Sequence, residues 1–202
     1  MKSKKMRGIF VALIVIIVAG ISFFYIHNQR AQQGTTVYTQ SELKKILKKK
    51  YPDFYQYTRL DEAGQNFIIP NLNHTTTLNK QGAVVSAKNM DPQGLVLADN
   101  YLLISAYDRH HQNNSVIYVL DKDTRKFSKT IVLKGHPHAG GLAYDAENKN
   151  LWITTVNGKK HAQISSIGLD KIENYNVKNT KKPITYKQSI NLGTIPEASF
   201  VS

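Results

Sequence analysis

The chain has 202 residues, of which 41% are hydrophobic, a proportion that argues against a disordered protein and is sufficient for one or two folded domains. It contains no cysteine, which excludes disulfide frameworks, thiolate nucleophiles and cysteine-ligated zinc sites. The formal charge of +13, from 27 basic and 14 acidic residues, indicates an anionic partner such as a nucleic acid or a membrane surface.

The first 26 residues predict a membrane anchor. Four basic residues precede the uncharged run "GIFVALIVIIVAGISFFYI", which extends from Gly8 to Ile26. At about 1.5 Å per residue, a helix of this length spans a hydrocarbon core of about 30 Å. The positive-inside rule then predicts a single-pass protein of the cell membrane, with a cytoplasmic N-terminus and an extracytoplasmic remainder. A cleavable signal peptide is the alternative, although the apolar run continues past the expected cleavage point.

Residues 27–65 are predicted to form a basic stalk outside the membrane. The part of the chain after residue 26 keeps 23 of the 27 basic residues and all 14 acidic residues, a net charge of +9, and export argues against a nucleic-acid partner. Thr39 and Glu42 have the spacing of a capping box, which predicts a short helix from about Gln40 to Lys50, ending before Pro52. The helix carries five lysines that face either water or an anionic surface of lipid head groups or cell-wall polymer: Lys44, Lys45, Lys48, Lys49 and Lys50.

Residues 66–202 predict an all-β domain built from a repeated unit. The stretch "QGLVLADNYLLISAYD" holds two strands around a tight turn at Asp99 and Asn100, and "SVIYVLDKDTRKFSKTIVL" holds two more around a turn at residues 121–126. Short links between the four strands predict an antiparallel meander. The pattern then starts again, because "GGLAYDAENKNLWITTV" matches the first pair, while "AQISSIGLDK" and "YKQSINL" match the second.

Four-stranded units at this period are typical of a β-propeller, in which each blade buries its faces against its neighbours. We therefore predict an incomplete β-propeller, with two four-stranded blades and the start of a third, after the N-terminal transmembrane helix and the short helical stalk. A β-sandwich with accidental internal similarity is the alternative. Because propellers typically have four to eight blades, the chain is expected to be the N-terminal part of a longer protein.

From about Ile68 to its C-terminus, the chain resembles a family of secreted or membrane-anchored bacterial β-propellers, related at a distance to the NHL and gluconolactonase-like propellers. The resemblance rests on the stretches "PQGL", "ISAYD", "SVIYVLD", "GGLAYD" and "LWIT". These stretches imply blade packing and turns rather than a reaction. One departure is Arg125, which stands where the family commonly has glycine in the turn between the third and fourth strands.

The sequence carries none of the common catalytic motifs. It has no G-x-S-x-G elbow, H-E-x-x-H zinc helix, phosphate loop or dinucleotide fingerprint. Asp121 and Asp123 resemble the opening of a calcium loop, but the required glycine and glutamate are missing, so we assign them to a hairpin turn. No cofactor is expected, except a divalent cation if the protein is a hydrolase.

The predicted blade geometry collects several polar residues on one face. In an up-and-down blade, the loop between the second and third strands and the crossover to the next blade lie at the same end, and loops on a rigid scaffold usually carry function. The candidate ligand-binding residues in these segments are His110, His111, His136, His138, His161, Asp91, Asp108 and Glu197. We expect His138 and Glu197 to occupy matching places in successive blades, near the mouth of the central channel.

The stretch "GHPHAGGLAYD" contains the crossover that enters the second unit. Gly140 and Gly141 are expected to permit a close backbone approach at this point. The strand that follows should place Leu142 and Tyr144 on one side and Ala143 on the other.

Three functions are compatible with these patterns. The first is an exported, membrane-anchored β-propeller that binds a ligand or partner through its loop face without transforming it. The second is a metal-dependent hydrolase of the lactonase type, in which a cation polarises a carbonyl group or activates water. The third is a structural protein of the cell envelope whose lysines bind anionic polymers.

Overall fold

The computed structural model describes residues 39–58, 60–61, 68–158, 161–196 and 198. The predicted membrane anchor and the candidate residue Glu197 lie outside these ranges. Within them, no helix has the length and apolar character needed to cross a membrane. The described chain is mostly β-structure, with ten strands in three antiparallel sheets, which confirms the prediction of a β-rich protein.

The stalk helix forms where the sequence predicts it. Helix α1 spans Gln40–Lys50, and helix α2 spans Pro52–Tyr55. Thr39 caps α1, because its backbone N–H donates to the Glu42 carboxylate at 2.8 Å and its hydroxyl accepts from the Glu42 N–H. None of the side chains of α1 is buried. Its local capping bonds therefore contribute more to the helix than core packing does.

The first four-stranded sheet is the predicted antiparallel meander. Its strands are β3 (Met90–Ala98), β4 (Tyr101–Asp108), β5 (Val116–Asp121) and β6 (Phe127–Val132), paired in the order β3-β4-β5-β6. The two strand pairs are closed by residues with positive φ, 49° at Asp99 and 57° at Arg125. Arg125 thus adopts the left-handed conformation that glycine would take more easily, and the turn is kept despite the substitution.

The second four-stranded sheet repeats this arrangement. It contains β7 (Leu142–Asp145), β8 (Asn150–Val156), β9 (Ala162–Gly168) and β10 (Gln188–Asn191), and the four strands again pair in sequence order. Leu142 belongs to the buried core and Tyr144 packs against it, as the predicted alternation requires. The internal repeat seen in the sequence therefore corresponds to two sheets of the same topology.

An insertion with two short helices separates β9 from β10, at the position where the first sheet has a simple turn. Helix α3 spans Leu169–Asn174 and helix α4 spans Val177–Thr180. The insertion returns to the first sheet, since Ile184 N–H donates to the Val132 carbonyl at 2.8 Å. Burial of Leu169, Ile172 and Val177 holds it there. The sequence repeat, which matches "AQISSIGLDK" and "YKQSINL" to the second pair of strands, did not predict these helices.

A hairpin precedes the two sheets and covers part of the first. After a 3₁₀ helix at Leu72–His74, strands β1 (Thr75–Leu78) and β2 (Val84–Ala87) pair with each other. The Thr130 hydroxyl donates to the Thr76 carbonyl at 2.6 Å, which joins β1 to β6. The Tyr118 hydroxyl of β5 also bonds to Thr75, and its burial raises the pKa of the tyrosine. The sequence pattern did not single out this hairpin.

The two four-stranded sheets meet through their first strands, β3 and β7. At the contact, the Ser105 hydroxyl donates to the Ala139 carbonyl at 2.6 Å and accepts from the Gly94 N–H at 2.9 Å. A Cβ atom on Gly94 would lie only 2.7 Å from the Gly140 carbonyl oxygen. A close backbone approach therefore occurs at this point, but the glycine that permits it is Gly94, and Gly140 contributes its carbonyl oxygen. The sharp turn nearby is made by Ala139, with a φ of 55°.

Apolar side chains remain exposed on the first sheet. The hairpin covers the part formed by β5 and β6, whereas Leu95 and Leu97 on β3 keep 63% and 56% of their surface accessible. On the second sheet, Ile190 of β10 is 49% exposed. In folded proteins, apolar side chains on a sheet face are usually covered by a second layer of structure.

Candidate functional site

The strand registers place most of the predicted ligand-binding residues at one end of each sheet. Met90 pairs with Asp108, and Val116 pairs with Val132, so the start of β3, the loop between β4 and β5 and the exit from β6 share one end of the first sheet. Loop 109–115 carries His110 and His111, and the crossover 133–141 carries the next two histidines of the chain.

Asp108 organises the loop that follows β4. Its side chain is buried and accepts hydrogen bonds from the N–H groups of His110, Gln112 and Asn113 at 3.0, 3.1 and 2.8 Å, and from the Asn113 side-chain amide at 2.6 Å. These bonds hold His111 in a left-handed conformation, with a φ of 51°. The Asp108 carboxylate thus accepts hydrogen bonds from the amides of its own loop. Its role is to position the histidines of that loop, and it does not face a ligand.

Three histidines and one tyrosine form an aromatic cluster beside this loop. The ring of His138 stacks on Tyr107, with ring centroids 4.3 Å apart and an angle of 13° between the planes. His111 lies 5.7 Å from Tyr107 and 6.2 Å from both His136 and His138, between ring centroids. The structure therefore brings together side chains from β4, from the loop after it and from the crossover.

The hydrogen bond of His136 determines where its ring carries a hydrogen. Its Nδ1 atom lies 2.7 Å from the Asn113 carbonyl oxygen. Because a carbonyl oxygen can only accept, Nδ1 must be the donor, and the ring is either the Nδ1–H tautomer or the imidazolium ion. Nε2 is therefore an acceptor in the neutral ring and a donor in the protonated ring.

The cluster lines a cleft with a volume of about 490 Å³, which we call the histidine cleft. His111, His136 and His138 line it together with Lys80, from the turn between β1 and β2. Apolar walls come from Pro137, Ala139, Val156 and Pro196. The cleft is thus assembled from the hairpin, the first sheet, the crossover and the second sheet. Its size is in the range of clefts that bind small organic molecules.

Two members of this site were missed by sequence reasoning. Lys80 lies in a surface turn of a hairpin that the pattern did not single out, 31 positions before His111. Tyr107 follows the apolar alternation of β4, so its sequence context indicates only a strand residue. A basic residue in a turn and a tyrosine in a strand carry no signal of a shared site.

Asp91 and His110 lie near this site but have different surroundings. The Asp91 carboxylate accepts two hydrogen bonds from the Arg109 guanidinium, at 2.8 and 3.0 Å, and this ion pair raises the pKa of Arg109. The Nε2 atom of His110 is buried and has no hydrogen-bond partner within the described ranges. Neither side chain is among those that line the histidine cleft.

His161 is separate from the cluster. Its backbone N–H donates to the Asn157 side chain at 3.0 Å, and its ring lines a different hollow with Gln163 and Asn191. The loop after β8 therefore belongs to the predicted face without joining the cleft. Glu197, the proposed counterpart of His138, is outside the described residues.

The five stalk lysines divide into two groups. Lys44 forms an ion pair with Asp61, and Lys48 lies 3.9 Å from the same carboxylate and 5.0 Å from the centre of the Tyr55 ring. The pKa of Asp61 is lowered, chiefly by its hydrogen bond with Lys44. Lys45, Lys49 and Lys50 are exposed. Three positive charges are therefore available to an anionic surface.

Two hollows beside the insertion are larger than the histidine cleft. One, of about 550 Å³, lies between β6 and the two inserted helices, and the other, of about 710 Å³, lies beside the Lys149–Asp99 ion pair. Neither has histidine in its lining. We take the histidine cleft as the candidate site because it combines clustered imidazoles with loops from several elements.

The described residues also limit the metal chemistry available to the site. They include no group of three or more His, Asp or Glu side chains placed to hold one metal ion.

The described chain is a β-rich protein of two successive four-stranded meanders, with a histidine-lined cleft at their loop ends. In comparisons with known proteins, no family model, curated protein or solved structure matches the chain. Its function must therefore be argued from the site.

Proposed function

We propose that the protein is an exported, membrane-anchored binding protein of the β-propeller type, which holds its ligand in the histidine cleft and does not transform it. The observation that carries this proposal is the cleft itself, in which residues from five separate segments of the chain meet around a space of about 490 Å³. The anchor is the uncharged run of residues 8–26, which follows four basic residues.

Two features of the sheets support the propeller architecture. Each sheet is a meander whose strands run in sequence order, and the first strands of the two sheets, β3 and β7, lie next to each other. In a propeller, successive blades meet in this way around the central axis. Leu95, Leu97 and Ile190 are exposed apolar side chains of the kind that a propeller blade buries against a neighbouring blade.

The arrangement of polar groups favours binding over catalysis. Asp108 is occupied by loop amides and Asp91 by Arg109, so neither is available to activate a histidine in the cleft. Nucleophilic or general acid–base catalysis usually needs such a pair of groups. The hydrolase alternative would require cation ligands outside the described part of the chain, with Glu197 as one of them. The envelope alternative is favoured by the three exposed lysines Lys45, Lys49 and Lys50.

The predicted topology is testable because the chain has no native cysteine. We expect Lys88→Cys to react with a membrane-impermeant maleimide on intact cells, since Lys88 is exposed on the β-domain. Ser3→Cys should react only after the cells are lysed. The reverse pattern would contradict the orientation, and reaction of neither variant before lysis would contradict export.

Ligand binding can be tested by thermal unfolding of the full-length protein in detergent micelles. A panel of soluble sugars, sugar acids, organic phosphates and peptides should contain a class that raises Tm, because a ligand at 100 times its Kd stabilises the folded state by about 2.7 kcal/mol. The shift should disappear in the double variant His136→Ala, His138→Ala. It should persist in the control His74→Ala, whose exposed histidine lies outside the cleft.

Two results of this experiment would contradict the proposal. One is a panel in which no class raises Tm, and the other is a shift that the double variant keeps. Turnover of a lactone in the presence of added divalent cation would instead favour the hydrolase. Binding to anionic polymer that is lost in the triple variant Lys45→Gln, Lys49→Gln, Lys50→Gln, but kept in the double histidine variant, would favour the envelope protein.

A further inference from the structure

We infer that the ligand of the histidine cleft is an organic phosphate, whose phosphate group is held by Lys80 and the clustered imidazoles. This inference rests on the proposed function, because it names the ligand class for the same site. Its starting point is the chemical character of the groups that line the cleft. The side chains of Lys80, His111, His136 and His138 can all donate hydrogen bonds, and each of them is positively charged when protonated.

No carboxylate opposes these groups in the described lining of the cleft. Asp108 belongs to the loop that carries His111, but its oxygens accept four hydrogen bonds from that loop. Asp91 is paired with Arg109 in a two-bond contact. Among the described residues, an anion in the cleft therefore meets donors without a competing negative charge, and charge-assisted hydrogen bonds of this kind are the strong ones.

The shape of the cleft indicates a ligand larger than a free phosphate ion. Its volume of about 490 Å³ leaves space beside the charged groups, and Pro137, Val156 and Pro196 form apolar walls around that space. The His138 ring is held flat against Tyr107, at 4.3 Å between centroids. A phosphate group bound to a small organic body matches this combination of donors and apolar walls.

Binding should depend on pH through the imidazoles. Histidine ordinarily gains its proton between pH 5 and 8, and protonation converts an imidazole nitrogen from an acceptor to a donor. Among the described residues, the other titratable or charged groups on the elements around the cleft are Lys80, Asp91, Tyr107, Asp108, Arg109, His110, Lys134 and His161. The anion should thus bind more tightly at pH 5.5 than at pH 8.

The direct test is a calorimetric titration of full-length protein in detergent micelles with glycerol 3-phosphate. We expect His138→Gln and Lys80→Gln each to weaken binding about tenfold, or by about 1.4 kcal/mol, because each removes a hydrogen bond to a charged group. The matched controls are His74→Gln and Lys88→Gln, which remove an exposed histidine and an exposed lysine elsewhere on the described surface. Both controls should bind like the original protein.

A second arm uses sulfate to isolate the protein's contribution to pH dependence. A phosphomonoester changes its own charge near pH 6, whereas sulfate stays a dianion from pH 5.5 to 8. Sulfate should bind more tightly at pH 5.5 than at pH 8, and His138→Gln should reduce this difference in affinity.

A third arm replaces glycerol 3-phosphate with short-chain phosphatidic acid. Binding at least tenfold tighter than that of glycerol 3-phosphate would identify the phosphate as that of a lipid head group, and equal binding would identify a soluble ligand.

The inference and the proposed function fail in different ways. If glycerol 3-phosphate, phosphatidic acid and sulfate all fail to bind while another class raises Tm through His136 and His138, the organic phosphate is wrong and the binding site stands. If phosphate binds equally to the original protein, His138→Gln and Lys80→Gln, the inference is overturned because the anion binds elsewhere. If no ligand of any class depends on the cleft, both are wrong.

Discussion

Replacing Gly94 by valine should lower the free energy of unfolding by about 3 kcal/mol. A Cβ atom at this position would lie 2.7 Å from the Gly140 carbonyl oxygen and 3.1 Å from the Ser105 hydroxyl. The first of these is a backbone atom at the contact between β3 and β7, so it cannot move aside without displacing a strand. The two sheets would separate locally, and the crossover that carries His136 and His138 would shift with them.

Gly158 provides the matched control. A Cβ atom there would meet no other atom within 4 Å, and the residue lies in an exposed loop. Gly158→Val should therefore change stability by less than about 0.5 kcal/mol. Urea unfolding of the full-length variants, followed by the fluorescence of the single tryptophan, measures both effects. If the two variants unfold at the same urea concentration, the tight contact between β3 and β7 is wrong.

Replacing Asp108 by alanine should cost about 3 kcal/mol of stability and also abolish ligand binding in the histidine cleft. The substitution leaves three backbone N–H groups and one side-chain amide without their buried acceptor. The loop that holds His111 at a φ of 51° would then lose its fixed conformation, since a left-handed residue persists only when its surroundings hold it. Binding should be lost although Asp108 contributes no contact to the ligand.

Asp145 offers a comparison for this effect. Its carboxylate also closes a turn, by accepting from the N–H and the side-chain amide of Asn148, but this turn is exposed and joins the other ends of β7 and β8. Asp145→Ala should cost only about 1 kcal/mol and leave binding unchanged. Urea unfolding and the glycerol 3-phosphate titration check both variants. An Asp108→Ala protein as stable as Asp145→Ala would show that the loop does not depend on the carboxylate.

The strands of both sheets could be predicted from local patterns, for a physical reason. Alternating apolar residues define a strand wherever one face is buried, and residues such as Asp99 tolerate the positive φ that a tight turn requires. The same holds for α1, where Thr39 and Glu42 form the predicted capping box. These features depend on residues that are close in sequence, so the pattern is enough.

The insertion and the first hairpin were not predictable in this way. The turn after β9 is replaced by α3 because Leu169 and Ile172 find a buried surface on a neighbouring element. Strands β1 and β2 are only four residues long, and β1 is stabilised by the side chains of Tyr118 and Thr130, more than 40 residues later in the chain. A short element that depends on such distant contacts has little local signal.

The candidate site was likewise only partly predictable from the sequence. Meander topology predicted that His111, His136 and His138 would lie at one end of the sheets, and the structure places the His111 ring 6.2 Å from each of the other two, between ring centroids. The same topology also placed Asp108 among the ligand-binding candidates. In the folded protein, however, this carboxylate accepts hydrogen bonds from the amides of its own loop. His161 shares the face but lines another hollow, with Gln163 and Asn191, and is not among the residues that line the cleft.

By itself, the sequence determined the β-rich class, the repeat of two four-stranded meanders, the stalk helix and the histidines of one loop face. All of these follow from periodicity and turn chemistry, which act over a few residues. Only the tertiary structure decided that Lys80 and Tyr107 join the site, that Asp108 supports it and that His161 does not belong to it. These outcomes depend on how the hairpin and the crossover pack against the two sheets, and that packing is set by contacts such as Gly94 with Gly140 and Ser105 with Ala139, between residues far apart in the chain.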